Sequence, residues 1–253
     1  MLTPSQRLQF DLLGYVVLPQ LLDAAACVAL VEMARTMPID AACASERQVV
    51  LRNPAWSHRQ ILEIAMDPRL RGAAEDVIGG ESRLEETQFL IFPADSAATA
   101  TAGSAPVGGD WRWHRGLSPD YGSFESGGHY HCLFVKVLLY LSPQGEGTGV
   151  VPGSHRQHVA LSEFEQLFEP DMHRRVPTQS GDALIFGETL IHSSPPRPLA
   201  AQRMVLVIGY AAPFMRSWSR ETAPPPQLCY ALTPEERRFV YGEARYNFRG
   251  EIL

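Results

Sequence analysis

The 253-residue sequence contains none of several patterns that identify common protein classes. Its four cysteines form no CxxC pair, its basic residues form no run, and no apolar stretch approaches the ~20 residues of a membrane-spanning helix. These absences argue against a disulfide framework, a zinc knuckle, a nucleic-acid-binding surface and a transmembrane protein. The GxGxxG turn of a dinucleotide-binding fold is also missing.

What is present is an ordinary soluble composition, with 45% apolar residues and a formal net charge of −6. The N-terminus has no basic region followed by an apolar stretch, so we expect no signal peptide and a cytoplasmic location. We therefore predict that the four cysteines are reduced and mostly buried. We expect a small-molecule partner, no nucleic acid and no membrane, and the sequence leaves the oligomeric state open.

The first third of the chain is predicted to be mainly helical. Helix-start signals and apolar spacing predict three helices. They lie at about 3–13, 23–37 and 61–77, with a short strand at 15–19 between the first two. The later part contains apolar, β-branched runs separated by Gly and Pro turns, which predict strands at about 84–92, 133–141, 183–186 and 204–210. A polar tail carries one more helical patch at 233–241.

This order favours one α+β, mainly β domain that spans residues 1–253. The predicted core is a double-stranded β-helix, the cupin-like jelly roll, at about 84–212. The helical part at 1–80 packs on one face, and 213–253 forms a C-terminal extension. The small, glycine-rich segment at 94–110 is predicted to be a loop, with a possible role as a lid together with the Trp218 region.

Two histidines, His114 and His192, lie beside predicted strand ends with polar or glycine-rich neighbours. A single histidine in such a place is more often a hydrogen-bonded structural residue. The segments around them change the interpretation, namely VVPGSHR at Val150 to Arg156 and GDALIF…HSS…R from Gly181 to Arg203. Together these segments resemble the phytanoyl-CoA dioxygenase family of iron(II)- and 2-oxoglutarate-dependent oxygenases.

The resemblance extends from the N-terminal helix, GYVVLP, helix pattern to Tyr210. It implies that His114 and His192 bind Fe(II), and that Arg203 and Ser194 hold the distal carboxylate of 2-oxoglutarate. Imidazole is a suitable ligand for Fe(II), and a planar guanidinium is a good bidentate partner for a carboxylate. The implied cofactors and co-substrates are therefore Fe(II), 2-oxoglutarate and O2.

The sequence departs from the family pattern at Gly116. Oxygenases of this type add a carboxylate ligand to two histidines, and the family places it two residues after the first histidine. Here that position is glycine, which cannot ligate a metal and is expected to leave the space open. This resembles the halogenases of the same superfamily, in which a halide takes the carboxylate's place. The resemblance implies that chloride binds at Gly116 and that an unactivated C–H bond is chlorinated. The compact length favours a free small metabolite as the substrate, and the arginines fit an anionic one.

Two other interpretations stay open. Another residue could complete the metal site of a hydroxylase, either a carboxylate from Asp110, Asp120 or Glu125 or a third histidine from His129 or His131. Alternatively, the site has lost its chemistry and the chain is a binding or scaffolding module that kept the fold.

Several further residues are candidates for the substrate pocket, each with packing or a surface position as the alternative: Trp111, Trp113, Arg115, His131 and Trp218. Lys136 lies inside an apolar strand, where a charge needs a partner or a solvated face. It is predicted to be a strand-edge lysine or a contact to an acidic ligand. His155, in the PGSH turn, is predicted to be structural.

Overall fold

The computed structural model describes residues 1–45, 47–94, 111–142, 147–167, 169–194, 199, 201–218 and 221–242. Its centre is a six-stranded antiparallel sheet with the strand order β1, β9, β6, β11, β3, β2. A three-stranded sheet has the order β10, β7, β8, and β4 and β5 form a hairpin. The strands are β1 (Tyr15–Leu18), β2 (Val49–Arg52), β3 (Arg83–Phe92), β4 (Ser123–Ser126), β5 (His129–Cys132), β6 (Phe134–Tyr140), β7 (Gly149–Val150), β8 (Arg174–Arg175), β9 (Ala183–Gly187), β10 (His192–Ser193) and β11 (Arg203–Ala211).

The two larger sheets pack face to face. One apolar cluster contains Leu138, Phe186 and Val207 of the six-stranded sheet together with Val150 of the three-stranded sheet. This is the arrangement of a jelly roll, and it agrees with the predicted fold class. The long strands β3, β6, β9 and β11 and the short strand β1 confirm the sequence prediction. The other short strands went unpredicted, because two to four residues show no usable periodicity.

The predicted helices at 3–13 and 23–37 are present, whereas the one predicted at 61–77 is two helices, because Asp67 caps a new helix that begins at Pro68. These helices cover the other face of the six-stranded sheet. The helices are α1 (Pro4–Leu13), α2 (Ala24–Thr36), α3 (Arg59–Ala65), α4 (Pro68–Ile78), α5 (Pro119–Gly122), α6 (Leu161–Leu167) and α7 (Pro234–Tyr241). Side chains alternate along β6, so that Val135 and Val137 face the helices while Lys136 and Leu138 face the interior of the jelly roll.

The C-terminal helix α7 packs against the same outer face. Its Phe239 is fully buried, and the ring lies 6.0 Å from that of Tyr210 on β11. A capping box between Thr233 and Glu236 starts the helix, as the sequence predicts. Within the described residues, no helix is long and apolar enough to cross a membrane. The four cysteines are free thiols, two of them buried.

His155 is a structural residue, as expected. Its ring has no exposed surface and lies 4.7 Å from the ring of Tyr130, while Nε2 is 3.3 Å from the Asp11 carbonyl oxygen of α1. The turn at Gly14 comes so close that a Cβ there would lie 2.6 Å from His155 Nδ1. Burial, together with repulsion from Arg156, lowers the pKa of His155 from 6.5 to about 4.

This pKa shift predicts a loss of stability in mild acid. Below pH 6.5 the unfolded chain binds a proton on His155, whereas the folded chain does not bind it until about pH 4. The free energy of unfolding therefore falls as the pH is lowered through this window, by up to about 1.4 kcal/mol per pH unit for one proton. Urea titrations at several pH values, with a chelator present, measure how the free energy of unfolding depends on pH. In His155→Gln this pH dependence is expected to be weaker than in wild type by about one proton. Equal pH dependences of the two proteins would contradict the assignment of the shift to His155.

Candidate functional site

The structure brings His114 and His192 together where the two sheets meet. Their backbones form an isolated antiparallel bridge, in which each N–H donates to the other's carbonyl oxygen at 2.9 Å. The imidazole ring centroids lie 4.2 Å apart. His192 belongs to β10 and is buried, whereas His114 is exposed to a neighbouring cavity. The predicted pair is therefore held at one point by backbone hydrogen bonds.

Both imidazoles are oriented in the same way. Nδ1 of His114 lies 2.8 Å from the carbonyl oxygen of Arg112, and Nδ1 of His192 lies 2.9 Å from that of Leu190. A carbonyl oxygen can only accept a hydrogen bond, so each Nδ1 carries the ring proton. The lone pair of each neutral ring is consequently on Nε2, which is the state of a histidine ready to bind a metal.

Burial also keeps His192 neutral. It lowers the pKa of the imidazole from 6.5 to about 4, although the Glu188 carboxylate acts in the opposite direction. Nowhere in the described ranges do three or more His, Cys, Asp or Glu side chains already converge as a metal site. The preformed element is thus the histidine pair.

A cavity of about 460 Å³ opens next to His114. Its wall includes Gln88, Leu90 and Phe92 of β3, and on the opposite side Arg112 and Ser193. The remaining lining residues are Ser45, Arg47, Gln48, Val50, Ser194 and Leu199. The volume is within the range of small-molecule sites.

Arg203 begins β11 and is buried. Its guanidinium lies over the ring of Phe92, a cavity-lining residue, at 5.3 Å. Nη2 donates to Thr148 Oγ1 at 3.0 Å, but Nε and Nη1 have no hydrogen-bond partner among the described residues. Burial lowers the pKa of this guanidinium. Two unpaired donors on a buried cation are suited to an anionic ligand.

The family resemblance implies that Ser194 binds the same 2-oxoglutarate carboxylate as Arg203. Ser194 is exposed at the wall of the cavity, and its role stays a prediction. The groups that contact the guanidinium are Thr148 and Tyr140, which hydrogen-bond to each other at 2.8 Å. Sequence reasoning missed both residues, because Thr148 stands in a loop and Tyr140 has the spacing of an ordinary core residue.

The expected open space at Gly116 is filled, which corrects the sequence interpretation. A Cβ atom built on Gly116 would lie 1.9 Å from Oε2 of Glu188 and 3.0 Å from its Cδ. Trp218, a predicted pocket residue, stands on the other side, with a ring carbon 3.3 Å from the same point. Glu188 was not predicted to be a site residue. The sequence feature that could have identified it is its place directly after the apolar strand β9, four residues before His192.

Glu188 forms an ion pair with Lys136, which is the only lysine in the sequence. The Lys136 Nζ lies 3.3 Å from Glu188 Oε1 and 3.3 Å from Glu86 Oε1. Burial lowers the pKa of Lys136, but the two carboxylates outweigh burial and the net shift is upward. The prediction of a strand-edge position is wrong, because β6 lies between β9 and β11 and Lys136 points into the jelly roll.

Three other predicted pocket residues lie elsewhere. Trp111 and Trp113 stack on each other with centroids 5.0 Å apart and pack in an apolar cluster with Val151 and Ile191. Along the chain they alternate with Arg112 and His114, which line the cavity, so the two tryptophan side chains point away from it. Arg115 donates to the backbone carbonyls of Gln157 and Val159, which fixes the loop after the PGSH turn.

The alternative third ligands also have other partners. His131 stacks on Phe124 and contacts the Val77 carbonyl, and His129 binds Asp11 at 2.7 Å. Among the described residues, neither joins His114 and His192 in a group that could hold a metal. Asp120 binds His158, and Glu125 binds Arg156. Asp110 and most of the predicted 94–110 lid lie outside the described residues.

Comparisons with known proteins show the same fold. No protein-family model and no curated protein sequence matches the chain. HygX from Streptomyces hygroscopicus, solved with nickel and 2-oxoglutarate bound, matches at a TM-score of 0.71 and 21% identity, over 90% of this chain and 94% of that chain. SnoN, a non-heme alpha ketoglutarate dependent epimerase from nogalamycin biosynthesis, matches at 0.64 and 16% identity, over 88% and 89%. EctD from S. alaskensis with bound Fe matches at 0.62 and 18% identity, over 85% and 79%. These likenesses confirm the jelly-roll architecture.

Proposed function

We propose that the protein is an Fe(II)- and 2-oxoglutarate-dependent oxygenase that oxidises a C–H bond of a free small molecule. The observation that carries this proposal is the paired orientation of His114 and His192, whose Nε2 lone pairs are available beside a cavity. A structural histidine pair has no need to keep both Nε2 atoms unengaged. Imidazole nitrogen is a suitable ligand for Fe(II).

The second support comes from the fit of 2-oxoglutarate to Arg203. Nε and Nη1 are unpaired donors on a buried cation, so a carboxylate is a suitable acceptor, and Thr148 holds Nη2 of the same guanidinium in place. In this proposal Arg203 orients the co-substrate, while Phe92 and Tyr140 exclude water from the ion pair. Iron, when bound, supplies O2 activation coupled to decarboxylation of 2-oxoglutarate.

The substrate would occupy the cavity next to His114. Proteins of the same fold bind small molecules, since HygX has been solved with hygromycin B bound and SnoN with nogalamycin RO. Arg47 and Arg112 line this cavity, which supports the expectation of an anionic group on the substrate. Free thiols at all four cysteines fit a reaction in the cytoplasm.

Chlorination is the second candidate reaction, and Gly116 is the observation that favours it. In that case chloride would bind the iron where the family carboxylate is missing. The Glu188 carboxylate in the same space favours oxygen transfer instead. Chloride dependence of the iron complex separates the two reactions.

The proposal predicts a visible charge-transfer band when Fe(II) and 2-oxoglutarate are added to the protein without oxygen. His192→Ala is expected to abolish the band and the retention of iron, because one of two histidine ligands is removed. His158→Ala is the matched control, since His158 is exposed and pairs with Asp120, and it is expected to keep the band. Absence of the band in the wild-type protein would reject the proposed function.

Arg203→Lys tests the co-substrate site. A lysine keeps the charge but loses the fork of parallel donors, so we expect at least about a tenfold weaker 2-oxoglutarate affinity with little change in metal affinity. Calorimetric titration of the metal-free protein with metal gives the metal affinity, and titration of the metal-loaded protein with 2-oxoglutarate gives the co-substrate affinity. Arg35→Lys on the exposed part of α2 is the control, with no expected change. An unaltered 2-oxoglutarate affinity in Arg203→Lys would place the co-substrate elsewhere.

A further inference from the structure

The position of Glu188 relative to Gly116 is fixed by the backbone. Both Gly116 N–H and Leu117 N–H donate to the Glu188 carbonyl oxygen, at 2.9 and 3.1 Å. These two hydrogen bonds hold the segment after His114 against the end of β9. The Glu188 side chain then extends into the volume that any side chain at position 116 would need, because Oε2 lies 1.9 Å from the Cβ position. Glycine at 116 and a carboxylate at 188 are therefore complementary.

The Glu188 carboxylate lies beside both segments that carry the histidine pair. It reaches the Cβ position of Gly116, which is two residues after His114. In the sequence Glu188 stands directly after β9 and four residues before His192. The fold therefore brings one carboxylate to the two histidine segments.

The charges around Lys136 leave one negative charge in excess. Glu86 and Glu188 carry two negative charges, and the single ammonium of Lys136 neutralises one of them. Oε1 of Glu188 lies 3.3 Å from Lys136 Nζ, whereas Oε2 lies next to Gly116. An anionic oxygen therefore occupies the volume in which a side chain at position 116 would begin.

We propose that Glu188 supplies the metal with the carboxylate that position 116 lacks, so that His114, His192 and Glu188 form the ligand set. The inference rests on the proposed function and deepens it. Gly116 is then required to make room for Glu188 and does not create a halide site. Binding through Oε2 leaves Oε1 with Lys136, so the lysine positions the ligand. The ligand set still consists of two imidazoles and one carboxylate, the combination typical of non-heme Fe(II).

A pair of matched variants tests this assignment. Glu188→Gln and Glu86→Gln each remove one carboxylate charge from the same lysine at the same 3.3 Å distance, but only Glu188 adjoins Gly116. Mn(II) affinity is measured by calorimetry, with thermal melting to confirm folding. We expect Glu188→Gln to weaken Mn(II) binding at least about tenfold and Glu86→Gln to change it less than about threefold. Equal effects of the two variants would show a purely structural ion pair and overturn the assignment.

A measurement on the wild-type protein decides the question even if Glu188→Gln fails to fold. Chloride is titrated into the anaerobic complex with Fe(II) and 2-oxoglutarate, with sulfate at equal ionic strength as the control. We expect the charge-transfer band to stay unchanged, because Glu188 already holds the position. A saturable shift specific to chloride would overturn the Glu188 assignment and leave the proposed oxygenase function standing. A protein that forms no band at all would reject the proposed function itself.

Discussion

The backbone bridge between His114 and His192 is the constraint on which the site depends. It joins the segment after the glycine-rich region to the three-stranded sheet and sets the two imidazoles 4.2 Å apart. Since each Nδ1 is held by the carbonyl two residues earlier, the rings cannot turn away without losing a hydrogen bond. The geometry for metal binding is thus built into main-chain pairing, which is more rigid than side-chain contacts alone.

A series of buried polar and charged side chains connects the cavity wall to Gly116. Gln88 on the cavity wall donates to Glu86 at 2.7 Å, Glu86 pairs with Lys136, and Lys136 pairs with Glu188 next to Gly116. An ammonium inside a jelly roll is costly unless it is paired. That the only lysine of a chain with 22 basic residues stands here indicates a specific need for a compact charge between two carboxylates.

The sequence was sufficient to predict the helices of the N-terminal part, the long strands and the histidine pair, because periodicity and motif spacing are local properties. The strands β7, β8 and β10 are two residues long and exist only through their partners. The space at Gly116 could not be judged from sequence, because it depends on how the end of β9 meets the segment after His114. The contacts of Thr148 and Tyr140 with Arg203 could not be predicted either. Thr148 lies in a loop, Tyr140 ends β6 and Arg203 begins β11, so their contact depends on the tertiary fold.

We propose that Glu188, from another part of the chain, replaces the carboxylate missing after His114. A crystal structure of the protein with Mn(II) and 2-oxoglutarate would show the ligands of the metal. We expect Nε2 of both histidines and Oε2 of Glu188 in the coordination sphere, with Oε1 still facing Lys136. A metal that carries water or chloride at this position, with Glu188 bound to Lys136 alone, would contradict it.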